Sequence, residues 1–176
     1  MDTRIEDARD AVNAIVERFH DPERASSTLT VSAALGHGLR TDVVMRKHAM
    51  TVDEPRSLGG TDEGPNPVQL VLAALASCQA ITYRVWASKL GVALDAVHVE
   101  ADGDIDLRGF YGVDDAVRAG FSAVRLRVRL DGPEPVDRYR ELAEAVDAHC
   151  PVLDFTGNAI PFERSLSLGE DSAGDQ

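Results

Sequence analysis

Positive charge is scarce in this chain of 176 residues. Lysine and arginine together number 18 against 30 aspartates and glutamates, which gives a formal net charge of −12 and a pI of about 4.7. Proteins that bind nucleic acid or anionic membranes need clustered lysine and arginine. The composition therefore argues against both classes of partner.

A secretory signal is also missing, because no basic segment followed by an apolar one opens the chain. The longest uncharged run, residues 64–83, is about as long as a membrane span. It contains prolines, amides and hydroxyls, which make it too polar for that role. We therefore expect a cytoplasmic protein, in which two cysteines are more often reactive or simply buried than joined in a static disulfide.

Only two cysteines are present, and each falls on an apolar helical pattern. Cys78 lies in the middle of the most hydrophobic stretch, GPNPVQLVLAALASCQAITYRVW, and Cys150 ends an amphipathic pattern in AHCPV. If the two predicted helices cross, the sulfurs meet and can close and reopen a disulfide. The alternative is that both cysteines fill the core, since free cysteine is among the most buried residue types.

The first third of the chain predicts a helix followed by a small sheet. Residues 3–19 carry apolar side chains on one helical face, as expected of an arm that docks on the rest of the chain. Residues 27–35 and 39–45 flank a Gly-His-Gly turn and predict a hairpin, to which residues 49–52 add a short third strand.

A long helix is predicted next. Asn66 suits the N-cap and Pro67 the first helical position, and Gly91 suits the position after the end near Leu90. Apolar residues surround this helix on every side as far as Trp86, so it must be buried all round. One small sheet cannot achieve that, and we infer that a second subunit helps to cover the helix.

The last part of the chain predicts two strands, a helix and a final strand. Residues 97–107 and 124–130 alternate, an apolar helical stripe runs from Val136 to Cys150, and residues 159–168 form the last strand. This order of elements predicts an α+β fold in which helices pack on antiparallel sheet.

Two motifs together resemble the OsmC/Ohr family of osmotically inducible and organic-hydroperoxide-resistance proteins. They are DEPRSLGGTDEGPNPVQLVLAALASC and AHCPV, and the resemblance covers residues 28–168. It implies an OsmC-like fold with antiparallel sheets around two long central helices, in an intertwined homodimer with two active sites at its interface. The OsmC-like domain then spans residues 23–168, between a helical arm over 1–22 and a disordered acidic tail over 169–176.

By that resemblance Cys78 attacks the organic hydroperoxide and becomes a sulfenic acid, and Cys150 condenses with it to a disulfide. An external dithiol then reduces the disulfide. The resemblance implies no cofactor, and no cysteine or histidine spacing typical of a metal site is present. A free thiol is only about 3% ionised at neutral pH, so Cys78 needs a cation beside it.

The cation and a carboxylate are expected from the loop before the long helix. Arg56 is the best match to the family's thiolate-holding Arg. The family's Glu stands ten residues before the reactive cysteine, where this chain has Val68, and Glu63 is expected to replace it. The further candidates are Arg46, Arg40 and Glu54.

Phe110, Tyr111 and Phe121 are candidates to line an apolar pocket for a bulky hydroperoxide, although packing at a sheet edge explains aromatic residues equally well.

Val68 also motivates a different functional hypothesis, a non-catalytic OsmC-like dimer that senses redox state or binds a small apolar ligand. A different thiol-dependent chemistry on the same scaffold is a third possibility.

Overall fold

The computed structural model describes residues 3–168, with side chains from residue 10 onward, and the predicted tail lies outside this range. Helices and strands alternate in blocks along the chain. In order, they are α1 (Thr3–Arg18), α2 (Pro22–Ala25), β1 (Val31–Leu35), β2 (Thr41–Met45), β3 (His48–Val52), a 3₁₀ turn (Arg56–Leu58), α3 (Pro67–Leu90), β4 (Ala96–Asp104), α4 (Leu107–Phe110), β5 (Ala123–Asp131), α5 (Val136–His149) and α6 (Pro151–Gly157).

The strands form two antiparallel sheets. The first has the order β1-β2-β3, with Leu35 opposite Thr41 and Thr41 opposite Val52, and the second pairs β4 with β5. The predicted hairpin is confirmed, since the Gly36 N–H donates to the Arg40 carbonyl at 2.8 Å and closes the turn. The arginines of β5 point away from the core, and two of them pair with carboxylates of β4. Arg125, for example, forms an ion pair with Asp104 at 2.6 Å.

The long helix α3 begins and ends where its sequence signals predict. The Asn66 side chain accepts from the Gln69 N–H at 2.8 Å, and the Gln69 side chain accepts from the Asn66 N–H at 3.1 Å, which forms a reciprocal capping box. Gly91 ends the helix with a φ of 63°, a left-handed conformation that favours glycine.

The core lies where α3 packs against α5 and β4. Its buried members are Tyr83, Ala87, Val92, Leu94, Leu142 and Val146. The helix also contacts α1, the predicted docking arm, and α6. Its length and composition alone would allow it to cross a membrane, a property that core helices of soluble proteins share.

A single chain covers only part of α3. Leu75, Tyr83 and Ala87 are buried, whereas Val71 is 41% exposed and Ile81 is 65% exposed. The apolar residues outside the core contacts therefore form an uncovered surface on the helix.

One predicted strand is absent, and others are shorter than predicted. Residues 159–168 form no strand, because a strand needs a neighbour to accept its backbone hydrogen bonds and no described strand lies beside this segment. The strand predicted over residues 97–107 stops at Asp104, and the chain then turns into α4, where the Asp106 side chain caps the Arg108 N–H at 3.0 Å.

Candidate functional site

The two cysteines lie side by side where α3 passes the junction between α5 and α6. Leu142 and Val146 of α5 are fully buried against α3, so Cys150, one turn further along the same stripe, also faces that helix. Both thiols are free, and the Cys150 thiol lies within hydrogen-bonding reach of the Cys78 thiol. Cys78 is partly exposed, whereas Cys150 is only 1% exposed.

The environment of Cys78 favours the neutral thiol within one chain. Burial raises the pKa of Cys78, and the Cys150 thiol raises it further. The Val152 N–H, which opens α6, and the Thr82 hydroxyl act in the opposite direction, but the net shift of the pKa is upward. No cation contributes to the shift among the described residues.

Arg56 lies at the start of α3 and not beside Cys78. It is exposed on the 3₁₀ turn, and Leu58 of the same turn lines a cavity with Val68 in the first turn of the helix. Cys78 follows Asn66 by twelve residues, which is about 18 Å along a helix axis. The axial length of α3 therefore separates the predicted cation from the predicted nucleophile of the same chain.

Glu63 is likewise engaged away from the thiols. Its carboxylate pairs with Arg40 at 3.0 Å and lies 3.0 Å from the Thr61 hydroxyl oxygen. Arg40 also pairs with Asp42 at 2.9 Å, and Arg46 is exposed in the turn between β2 and β3. The predicted arginines and the predicted carboxylate thus belong to a polar region before α3.

Asp53 organises that polar region, a role that the sequence analysis missed. It is 1% exposed and accepts from the N–H groups of Glu54 at 2.8 Å, Thr61 at 2.9 Å and Glu63 at 3.2 Å, and from the Thr61 hydroxyl at 2.7 Å. The Thr61 hydroxyl is the main reason that the pKa of Asp53 falls to about 2. A Cβ on Gly60 would come within 1.9 Å of the Glu54 carbonyl oxygen, so this close loop requires glycine.

The three aromatic residues predicted for one pocket are divided between two cavities. Phe110 and Tyr111, with ring centroids 4.9 Å apart, line a cavity of 280 Å³ beside Val68. Phe121 lines a different cavity of 480 Å³ and lies against Gly103 of β4, where a Cβ would come within 2.4 Å of the ring. The prediction of a single pocket is therefore wrong, because Phe121 lies beside Gly103 of β4 and not beside α4, which ends at Phe110.

Gln79 is a second residue that the sequence analysis missed. It follows Cys78 directly and is 1% exposed, yet its side-chain nitrogen has no hydrogen-bond partner among the described residues. An amide among apolar residues gives no sequence signal, because glutamine is also common on exposed helix faces.

Metal binding finds no support in the described side chains, since no three histidine, cysteine, aspartate or glutamate residues among them cluster as a metal site would require. The reactive groups that this arrangement brings together are the two thiols.

Two reduced thiols held between long helices, beside small antiparallel sheets, define a class of dithiol α+β proteins. The chain matches the family model described as OsmC-like protein over residues 60–165, and it belongs to the OsmC/Ohr family. The resemblance noted from the two motifs and the OsmC-like α+β fold are both confirmed. A comparison with curated proteins finds no match.

Solved structures share the fold at low sequence identity. An OsmC-like protein from Mycoplasma pneumoniae superposes with a TM-score of 0.65 at 17% identity, covering 75% of this chain and 89% of the other. An organic hydroperoxide resistance protein OsmC from Legionella pneumophila gives 0.57 at 21% identity, covering 73% and 88%. An organic hydroperoxide resistance protein from Elizabethkingia anophelis, with thiocyanate bound, gives 0.58 at 21% identity, covering 74% and 89%.

Proposed function

We propose that this protein is a thiol-dependent peroxidase that reduces organic hydroperoxides to alcohols. The observation that carries the proposal is the pair of free thiols at the α3 crossing, one partly exposed and the other buried. The accessible thiol suits attack on a substrate, and the buried one suits resolution of the product. The names of the structural relatives, organic hydroperoxide resistance proteins, agree with this activity.

The reaction balances with the two cysteines and one dithiol. The Cys78 thiolate attacks the distal oxygen of the hydroperoxide, the O–O bond breaks, and the alkoxide takes a proton to leave as an alcohol. The resulting Cys78 sulfenic acid condenses with the Cys150 thiol, which forms the S–S bond and releases water. An external dithiol reduces the disulfide and is itself oxidised, as the reducing pool of the cytoplasm allows.

The thiolate needs a cation, and we propose that a homodimer supplies it. In this dimer the two α3 helices pack antiparallel through their exposed faces. The two-fold axis lies midway between residues 66 and 78, so the start of one helix lies beside the middle of the other. Arg56 of the partner subunit then reaches Cys78. The exposure of Val71 and Ile81 supports this packing, because Val71 then faces the α3 of the second copy and Ile81 faces the loop that precedes that helix.

A second function is favoured by two observations. Burial raises the pKa of Cys78, and Val68 leaves the start of α3 without the carboxylate that the family resemblance implies there. A non-catalytic dimer that senses redox state or binds a small apolar ligand would need neither an ionised thiol nor that carboxylate.

Peroxide consumption by three proteins tests the proposal. The wild type, Cys78→Ser and Cys150→Ser are each mixed with cumene hydroperoxide, with and without dithiothreitol. We expect sustained turnover by the wild type, none by Cys78→Ser, and consumption of about one equivalent by Cys150→Ser without dithiol, because its sulfenic acid has no resolving thiol. No peroxide loss in the wild type, or equal loss in Cys78→Ser, would favour the non-catalytic dimer.

A further inference from the structure

Gln79 is a buried amide whose side-chain nitrogen has no hydrogen-bond partner among the described residues. Buried donors are nearly always paired in folded proteins, because an unpaired donor has lost its water and gained nothing in return. The reduced chain therefore holds a hydrogen-bond donor in reserve. Its use is to be sought in a state of the protein in which an acceptor lies beside it.

Two contacts between α3 and α5 place Gln79 beside Cys150. Tyr83 of α3 belongs to the same core cluster as Val146 of α5, and Cys78 of α3 lies within hydrogen-bonding reach of Cys150. Gln79 precedes Tyr83 by one turn on the same helix face, just as Val146 precedes Cys150 by one turn on α5. Gln79 thus lies between the two contacts, on the side of α3 that faces Cys150.

The resolving step needs an anion at Cys150, because a thiol reacts with a sulfenic acid or a disulfide as its thiolate. Cys150 is buried, so water does not solvate that anion. Cys78 has two donors of its own, the Val152 N–H and the Thr82 hydroxyl. A thiolate at Cys150 requires a donor as well.

The charged and ionisable neighbours of Cys150 on α5 and α6 do not meet this need. Asp147 lies one turn before it, and Asp154, whose N–H donates to the Cys150 carbonyl at 2.9 Å, lies one turn after it. Both carboxylates oppose a second negative charge. His149 is exposed, and its Nδ1 lies 2.7 Å from a carbonyl oxygen of its own helix. Gln79 is the buried donor on this side of α3 that is unpaired among the described residues.

We propose that Gln79 donates a hydrogen bond to the Cys150 thiolate as that thiolate attacks the Cys78 sulfenic acid. Cys150 gives its proton to solvent, and its sulfur forms the S–S bond. The S–O bond of the sulfenic acid breaks, and the hydroxide takes a proton and leaves as water. This inference rests on the proposed function, because it assigns the residue that speeds the resolving step of that reaction.

The test replaces the hydroperoxide by DTNB, an aromatic disulfide that releases a yellow thiolate. Cys78 attacks DTNB and releases one thiolate, and Cys150 then attacks the mixed disulfide and releases a second. Stopped-flow absorbance separates the two phases. We expect Gln79→Met to leave the first phase as in the wild type and to slow the second about tenfold at neutral pH, as loss of a hydrogen bond to a charged group would do.

Two comparisons distinguish a donor from a group that only fills space. The deficit of Gln79→Met in the second phase should shrink as the pH rises, because both proteins then hold the thiolate. Gln79→Asn keeps a donor but fills less space, so its second phase should be faster than that of Gln79→Met, whereas a packing role gives the reverse order.

The matched control is Ser88→Ala, which removes a buried hydroxyl from the same helix, about 15 Å along its axis from Cys78. It should leave both phases unchanged. A second phase in Gln79→Met as fast as in the wild type, or a deficit of the same size at every pH, would overturn the role of Gln79.

Peroxide consumption separates this inference from the function on which it rests. A protein that turns over cumene hydroperoxide, with a second DTNB phase that Gln79→Met does not slow, would overturn the role of Gln79 and leave the peroxidase standing. A second phase slowed by Gln79→Met in a protein without peroxide turnover would support the donor and overturn the peroxidase.

Discussion

The loop before α3 and the thiol pair at the middle of α3 are built in opposite ways. In the loop, Asp53 accepts four hydrogen bonds and Glu63 pairs with Arg40, so charge is abundant and compensated. Around the thiols, Cys150 is buried and burial raises the pKa of Cys78. One region holds charge without a nucleophile, and the other holds a nucleophile without charge.

From this difference we infer that the proposed chemistry needs two chains. A thiolate in an apolar site needs a cation, and the axial rise of α3 keeps the loop about 18 Å from Cys78 within one chain. Joining the two regions requires a second copy. Substitutions can either prevent dimer formation or alter one of the two regions alone.

The largest effect is expected from Ile81→Arg, which places a charge on the uncovered surface of α3. Ile81 is outside the core of the single chain, so the variant should fold but remain a monomer. Peroxidase activity should fall at least about thirtyfold, the ratio between a fully ionised thiol and one that is about 3% ionised. Sedimentation and peroxide consumption measure the two properties.

The control for this surface is Val113→Arg, which adds the same charge at an exposed valine of the loop before β5. It should keep both the dimer and the activity. A monomeric Ile81→Arg protein with full activity would mean that one chain suffices, and the trans arrangement of Arg56 would then be abandoned.

Arg56→Gln should also lower the reactivity of Cys78, by a smaller factor than Ile81→Arg. We expect the pKa of Cys78 in the dimer to rise, because the thiolate loses its cation, and thiol reactivity at neutral pH to fall about tenfold. The rate of iodoacetamide alkylation as a function of pH measures it, in a Cys150→Ser background with a single thiol. Arg46→Gln is the matched control, and a shift in that variant instead would reassign the cation to Arg46.

Asp53→Asn alters only the loop. The folded pKa of Asp53, about 2, is below its ordinary value of about 3.9, so its carboxylate stabilises the fold above about pH 4 and this stabilisation is lost as pH falls through 2. We expect a lower Tm at pH 7 and a weaker dependence of Tm on pH between 4 and 2. Asp137→Asn, at an exposed site, should change neither, and identical acid profiles of Asp53→Asn and the wild type would refute the assignment.

The sequence predicts well the features that depend on neighbouring residues. Asn66 and Pro67 mark the start of α3, and the Gly-His-Gly turn fixes the β1-β2 hairpin, because capping and turn chemistry act within a few residues. The juxtaposition of Cys78 and Cys150 follows from the apolar stripe that ends at Cys150. These local rules, together with the two family motifs, were sufficient to predict the α+β fold class.

Features that depend on distant parts of the chain were not predictable in this way. The alternating residues 159–168 match a strand, but pairing depends on what lies beside them in space. Asp53 meets its partner Thr61 through a loop whose closure no periodicity indicates. Phe121 lies beside Gly103 of β4 and apart from Phe110 at the end of α4, and no alternation in the sequence reveals this separation.

The smallest effect is expected from Gln79→Met, which should change the free energy of unfolding. The sign of that change tests whether the start and the middle of α3 differ in their tolerance of polar groups. The Gln79 side-chain nitrogen is buried without a hydrogen-bond partner among the described residues, so replacing the amide by an apolar group of similar size should raise the free energy of unfolding by about 1 kcal/mol. The same substitution at Gln69 should lower it by about as much, since Gln69 completes the capping box. Denaturant midpoints at matched protein concentration measure both. Opposite signs in one helix would show that polar groups stabilise its start and destabilise its middle, whereas a loss at Gln79 would mean that the dimer or a ligand provides the amide with a partner.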